Sequence, residues 1–392
     1  MIGVTAQPGT QQKLEILSAD AQYDLACACG TTKDEHRKRS GQGKWIYPIT
    51  LPNGGKSILF KTLMSNVCVN DCKYCPLRDN MDVRRCSLSA EETAKVFMDY
   101  YGQREVFGLF LSSGVVGSPD ATMERLNGTA RILRKKYRFR GYIHLKIIPG
   151  ASDAAIEDAV SLSSAVSLNI ETPGEKNLAK LSEKKKYIRD IIEPIKLISR
   201  LTSRGGKYAG VKQTTQFIVG AAGESDSEIV KYMGGLYNRL KLQRIYFSAY
   251  QKGLGDDSLA AEKANIDTTL RNGNSLRSTR DPTAVFVREH RLYQADFLLR
   301  KYGFSESDIV FERDGNLSLE IDPKEAWARS HPERFPADVN RASRFELLRV
   351  PGLGPLTVNR ILERRKEARI SRIEDLGKAG ARLQKAEKYI CF

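Results

Sequence analysis

The 392-residue sequence has no stretch of about 18 consecutive apolar residues, which excludes a membrane-spanning helix. It does not open with basic residues followed by an apolar run, so no secretory leader is expected. Without one, the seven Cys predict a reducing, cytoplasmic compartment and argue against a disulfide scaffold. Acidic residues are in deficit. The 63 Lys and Arg outnumber 47 Asp and Glu, for a net charge of +16, which suits an anionic partner such as nucleic acid without specifying one. Apolar residues make up 41% of the chain, enough for a sizeable core, so global disorder is excluded. The length corresponds to about two or three domains.

Residues 1–54 read as an N-terminal extension with one helix, Lys13 to Leu25, followed by Cys27-Ala28-Cys29 and a mixed charge run. From about residue 55 the pattern becomes strand–helix alternation. Strands are expected at 57–63, 107–111, 142–148, 165–170, 213–219 and 244–249. Helices are expected at 88–101, 122–137, 152–161, 188–203 and 227–240, the first opened by Ser89 with Glu92 three residues on, a capping box. Such alternation predicts right-handed βαβ units and a parallel sheet, either open and doubly wound or closed into a partial or full barrel. Function then belongs at the carboxyl ends of the strands. After about residue 250 the pattern weakens. Residues 251–336 read as an extension of the core and a linker, with an amphipathic helix at 288–302. Residues 337–392 are short-helical and basic.

The strongest local signal is Cys68-Val69-Asn70-Asp71-Cys72-Lys73-Tyr74-Cys75, a C-x3-C-x2-C directly after the first strand. Packing three oxidisable thiols into one polar loop has no structural benefit, so the pattern points to metal. A closed zinc site needs four ligands. The fourth would have to be Cys86 or a distant His among His36, His144, His290 and His331, and no paired Cys or His second half is present. An iron–sulfur cubane normally takes four thiolates. Three close ones suggest a cubane with one iron left open for a non-protein ligand.

C-x3-C-x-aromatic-C after the first strand of a βα repeat resembles the radical S-adenosylmethionine (radical SAM) superfamily. The resemblance implies a partial (β/α)6-type barrel in which Cys68, Cys72 and Cys75 hold a [4Fe–4S] cluster. The open iron would chelate the amino and carboxylate groups of S-adenosylmethionine, and reduction would yield a 5′-deoxyadenosyl radical that abstracts hydrogen from substrate. Tyr74 becomes the aromatic against the adenine. Ser112-Ser113-Gly114 resembles the stretch that receives the cofactor's amino group, usually GGE, with the acidic residue missing here. Glu171 resembles the polar residue near the ribose. The 217–224 stretch, with Gly220, resembles the adenine element. Ser248 lies at the sixth strand end.

The second strong signal is Glu346 to Leu362, in which Val350-Pro351-Gly352-Leu353-Gly354-Pro355 separates two short helices. Its glycines let the backbone expose consecutive N–H groups beside a helix N-terminus, a phosphate cradle with no base-reading side chains. Thr357 and Arg360 stand where a hydroxyl and a guanidinium could add contacts. The segment resembles the helix-hairpin-helix family of sequence-independent DNA-binding modules, a small all-α domain. A degenerate second copy is expected over 373–390, with the hairpin at 376–380. The local excess of 13 Lys and Arg over 7 Asp and Glu favours nucleic acid.

The radical SAM pattern, the 288–296 stretch Arg-Glu-His-Arg-Leu-Tyr-Gln-Ala-Asp and the terminal hairpin jointly resemble a bacterial family described as DNA modification or repair radical SAM proteins. That implies double-stranded DNA as partner, an electron-donor protein, and chemistry on a base or lesion. An RNA-modifying enzyme and a non-catalytic DNA-binding iron–sulfur sensor are the alternatives. Three further readings concern neighbouring residues. Gly54-Gly55-Lys56-Ser57 is a turn, since a phosphate loop would need glycine at residue 50. Glu183-Lys184-Lys185-Lys186 is a solvated loop. Lys146 shares one face of its strand with Tyr142 and His144, and inside a barrel it could hold an anionic group or pair with a carboxylate such as Glu171. No catalytic residue or radical relay is assigned.

Overall fold

The computed structural model describes residues 8–21, 45–50, 55–263, 284–377 and 380–392. Cys27, Cys29, the charge run after them, Gly54 and part of the 376–380 hairpin lie outside the described residues. The described chain forms two compact units. One runs to Glu224 and resumes at Leu240, and the other comprises Ser225–Arg239 and the residues from 284 onward.

The first unit is built on a seven-stranded sheet in simple sequence order. Strand β1 (Ile46–Thr50) is antiparallel to β2 (Lys56–Leu63). The other five follow in parallel: β3 (Gly108–Ser112), β4 (Tyr142–Lys146), β5 (Ala165–Ser167), β6 (Lys212–Val219) and β7 (Arg244–Ala249). The sheet curls into a half-barrel, one of the forms the alternation allows and the one the resemblance implies. Helices α1 (Thr10–Asp20), α2 (Ala90–Gly102), α3 (Pro119–Arg131), α4 (Asp153–Leu162), α5 (Glu175–Leu181) and α6 (Glu193–Thr202) belong to the same unit. Ser89 and Glu92 close the expected capping box on α2. The helix expected over 122–137 starts earlier, at Pro119 with Ser118 as cap, and ends in a π-helical turn at Ile132–Lys136. A second π-turn, Tyr187–Ile192, leads into α6.

Register divides the sheet into two faces. Phe60, Leu109, Ile143 and Leu145 face the helices, where Phe60 meets Phe97 of α2 at 6.0 Å between ring centroids. The opposite face carries Lys61, Phe110, His144, Lys146, Ser167, Thr214, Gln216 and Tyr246. His144 Nε2 meets Ser167 Oγ at 2.9 Å, and Lys61 lies 4.7 Å from the Phe110 ring centre. This inner face is polar although buried, the reverse of a packing surface.

Strand β5 is shorter than the expected 165–170 because Thr215 intrudes on the ladder. Its hydroxyl donates to Leu168 O at 2.7 Å and accepts from Ile170 N at 2.9 Å. The chain then turns at Glu171, a non-glycine residue in the left-handed region (φ 66°), held by Glu171 N to Gln216 O (3.1 Å) and Ile218 N to Glu171 O (2.7 Å). A strained backbone at a strand end costs about 1 kcal/mol and is a common mark of a site.

The second unit contains α7 (Asp226–Asn238), then α9 (Ala284–Lys301) and α10 (Pro323–Ser330), with a short α8 (Ala260–Lys263) in the first unit before them. The 288–296 stretch is structural here. Arg288 pairs with fully buried Asp226 at 2.8 Å, Arg291 donates to Ser318 O and Leu319 O at 3.0 Å each, and buried Asp296 accepts from Arg300 at 2.9 Å and from the Tyr237 hydroxyl.

The carboxy-terminal residues then form α11 (Arg344–Arg349), α12 (Pro355–Glu367) and α13 (Ala381–Glu387), closed by a parallel pair of β8 (Ala337–Asp338) with β9 (Ile390–Cys391). Their core is Val339, Leu347, Val350, Val358, Ile361 and Ile370, all fully buried. Lys324 of α10 is buried, donates to Leu353 O of the hairpin at 2.5 Å, and stands 4.7 Å from the Tyr302 ring centre. Burial lowers its pKa from 10.5 to about 7, with Asp322 opposing that shift and Lys385 adding to it. Between these values the unfolded chain binds more protons than the folded one. Stability must therefore rise with pH across that window, by up to about 1.4 kcal/mol per pH unit from this group. Urea unfolding at pH 7 and pH 9 should show this rise in the wild type. Lys324→Met should remove it.

Candidate cluster and cofactor site

The cysteine loop leaves the carboxyl end of β2 and runs beside the turn after β3. Met64 N donates to Ser112 O (2.7 Å), Gly114 N to Ser65 O (2.7 Å) and Val69 N to Val115 O (2.9 Å). The Cys68 sulfur accepts from Val115 N at 3.4 Å. At Gly114 a Cβ would collide with the Val67 carbonyl and lie 3.2 Å from the Cys68 Cβ, so only glycine lets the two loops close. Ser112 is buried, and Ser113 Oγ donates to Gly114 O at 2.7 Å.

Cys72 is the most buried of the three thiols. Cys75 N donates to Cys72 O at 2.8 Å, folding the C-x2-C into a tight turn, and the Cys75 sulfur accepts from Leu77 N at 3.4 Å. Burial pushes the Cys75 thiol up to about 12, and the Cys72 and Cys68 charges add to that. Burial likewise raises Cys72, opposed by Lys185 and reinforced by Glu171. Buried thiols whose ionisation is disfavoured this way, as at Cys72 and Cys75, are set to gain by binding a cation.

Asp71, inside the motif, laces the loop to the segment after α5. Its carboxylate accepts from Ser182 Oγ (2.5 Å), Glu183 N (2.8 Å) and Lys184 N (3.3 Å). Lys184 returns to Val69 O (2.6 Å) and Asp79 (2.5 Å). The lacing turns Lys185 inward, where its Nζ meets Glu171 Oε1 at 3.0 Å and both side chains are less than one-tenth exposed. Burial would lower the Lys185 pKa, but the Cys72 and Glu171 charges raise it above its usual value. The solvated-loop reading of 183–186 is therefore wrong for Lys185. Glu171 takes its cation from Lys185 rather than from Lys146. Among the described residues Glu171 Oε2 is buried with no hydrogen-bond partner.

Tyr74 is half-buried and packs on Ile218, Ala221, Ala222 and Tyr250. Burial, then the Glu171 carboxylate, hold its hydroxyl well above the ordinary range. Gly220 (φ 90°) turns the chain out of β6, and Glu224 closes that turn by accepting from Gly220 N and from Ala222 N at 3.1 Å. Ser248 is buried opposite Ile218 on β7. The structure thus brings together Cys68, Cys72, Cys75, Tyr74, Ser113, Gly114, Glu171 and the 218–222 turn at one end of the sheet. Cys86 stays apart, its Sγ directed at Lys13 O at 3.9 Å.

Residues 62–234 match the family model described as the Radical SAM superfamily. This stretch is similar to the domain of that superfamily. No curated protein matches the sequence. Among solved structures the chain is similar to the [FeFe]-hydrogenase maturase HydG from Carboxydothermus hydrogenoformans, at 13% identity and TM-score 0.43, over 62% of this chain and 51% of that one. It is also similar to methylornithine synthase (PylB), at 13% identity and TM-score 0.43, over 61% of this chain and 63% of that one. The chain therefore spans less than two-thirds of either structure.

Radical SAM proteins use a [4Fe–4S] cluster and S-adenosylmethionine. The donor set fits both. Among the described residues no group of three or more His, Cys, Asp or Glu is placed to hold a single metal ion. The unpartnered Glu171 oxygen and the glycine-lined Ser112-Ser113-Gly114 turn supply acceptors for a polar, cationic cofactor.

In the second unit, Gly352 (φ 88°) is required because a Cβ would collide with the Arg382 carbonyl of α13. Gly354 is the N-cap of α12, with Pro355 at its first turn as the sequence predicts. Thr357 is half-buried, whereas Arg360 is exposed and donates to Leu376 O at 3.0 Å, tying α12 to the following turn. Sequence reasoning missed Asp71 and Lys185. Asp71 sat unremarked within the motif, and Lys185 was hidden in a run of lysines.

Proposed function

We propose that this radical SAM enzyme acts on DNA, with Cys68, Cys72 and Cys75 as cluster ligands. Glu171, Tyr74, the Ser112-Ser113-Gly114 turn, Gly220 and Ser248 receive S-adenosylmethionine. The observation that carries the cofactor half is the convergence of three thiols, an orphaned carboxylate oxygen and a glycine-lined turn at one sheet end. When bound, the cluster and cofactor would supply one-electron cleavage of S-adenosylmethionine to methionine and a 5′-deoxyadenosyl radical, which becomes 5′-deoxyadenosine by taking a hydrogen atom from the substrate. The electrons come from an external donor protein. This chain's residues position the cofactor and exclude water.

The DNA half rests on the α11–α12 hairpin. Its phosphate contacts are assigned to the backbone around Gly352 and Gly354, with Thr357 and Arg360. The polar inner face of the sheet suits a heteroatom-rich substrate such as a base drawn out of a duplex. There Thr214 Oγ1 and Gln216 Nε2 are buried without partners among the described residues.

Gly354→Asp tests the DNA reading without damaging the fold. The position has extended backbone (φ −108°, ψ 170°), its Cβ would meet only Tyr302 Oη at 3.5 Å, and Asp is a good N-cap. The new carboxylate would stand where a phosphate should. Duplex affinity, measured by fluorescence anisotropy, should fall about tenfold while the melting temperature holds or rises. Undiminished binding would remove the hairpin from the DNA site. Tighter binding to structured RNA than to the duplex would favour the RNA-modifying alternative.

A further inference from the structure

We infer that Arg85 is a positioning residue for the cluster ligands, gathering both limbs of the cysteine loop and aiming the Leu77 N–H at the Cys75 sulfur. The inference rests on the reading of Cys68, Cys72 and Cys75 as ligands. One guanidinium collects four backbone carbonyls. Nη1 donates to Asn66 O and to Leu77 O (2.8 Å), and Nη2 donates to Arg78 O (2.8 Å) and Met81 O (3.0 Å). Asn66 precedes the first cysteine by two residues, and Leu77 follows the last by two. The limbs that enter and leave the motif therefore meet on one cation.

The arrangement is anchored. Asn66 Nδ2 donates to Asp20 (2.7 Å) and Arg84 O (2.8 Å), and its Oδ1 accepts from Cys86 N (2.7 Å), which fixes the backbone on either side of Arg85. Among the described residues Arg85 makes no ion pair, so the carbonyls are its partners. Leu77 is the pivot. Its carbonyl is held by Arg85 while its N–H donates to the Cys75 sulfur at 3.4 Å. Lysine has three donors around a point and cannot span four carbonyls as a planar fork does.

Hydrogen bonds to a ligating sulfur, like nearby positive charge, favour the more negative, reduced form of an iron–sulfur cluster and help retain it. Loss of Arg85 should therefore make the reduction potential more negative and loosen the iron. The test compares anaerobically reconstituted wild type, Arg85→Lys, Arg85→Met and Cys72→Ala by iron content, potentiometric titration and iron loss to a chelator, with melts of the iron-free proteins as folding control. Arg85→Met should bind iron, release it about tenfold faster than wild type and show a more negative potential, with Arg85→Lys between them. Arg85→Met with wild-type potential and iron retention would overturn the inference. Should Arg85→Met not fold, a wild-type potential in Arg85→Lys would overturn it equally. A wild type that takes up no iron would instead overturn the ligand reading, and the inference with it.

Discussion

Replacing Cys72 by alanine should abolish iron uptake while leaving the fold in place. Reconstituted wild type should hold about four irons per chain, and the variant close to none. The sheet does not depend on the thiol, since the loop is held by Asp71, Arg85 and the Val69–Val115 and Lys73–Leu181 backbone bonds. Removing one small buried side chain should cost about 1 kcal/mol, far too little to unfold the protein. Iron analysis paired with circular dichroism checks both halves. Near-wild-type iron in Cys72→Ala would mean that the thiols are not the ligands. The same substitution should leave duplex affinity unchanged, because the phosphate cradle is assigned to residues 352–360.

Lys185→Met should be the most destabilising single change in the site. It leaves the Glu171 carboxylate buried beside Tyr74 and Cys72 without its cation. Breaking one partner of a buried pair typically costs about 3–5 kcal/mol. Glu171 is 3% exposed, so water cannot make good the loss. Lys185→Met combined with Glu171→Gln removes both charges and should recover most of that stability. It should not recover S-adenosylmethionine binding, because the negative charge proposed to receive the cofactor is gone. Chemical denaturation and calorimetric titration of the cofactor separate the two effects. A double variant that binds cofactor normally would show that the pair is structural only.

The elements legible in the sequence are those set by local rules. The capping box at Ser89 and Glu92 and the Pro355 start of α12 follow from neighbours within one turn, and the βα alternation from runs of a few residues. The cysteine spacing is equally local. Strand β1 falls within the expected N-terminal extension, and its Pro48 is tolerated because β1 is an edge strand. Helix α5 escaped because it has only seven residues and starts at Gly174 without a side-chain cap. Lys185 was illegible for a different reason. A lysine run reads as solvated, and only the bonds from Asp71, more than a hundred residues earlier, turn one of its members inward.

Mössbauer spectra of the protein reconstituted with ⁵⁷Fe, taken before and after S-adenosylmethionine, test the central claim most directly. Three protein thiolates on four irons leave one iron open. The account therefore predicts a [4Fe–4S] spectrum in which the cofactor changes about one iron site of four. A spectrum unmoved by the cofactor, or a protein that takes up zinc in preference to iron, would contradict it.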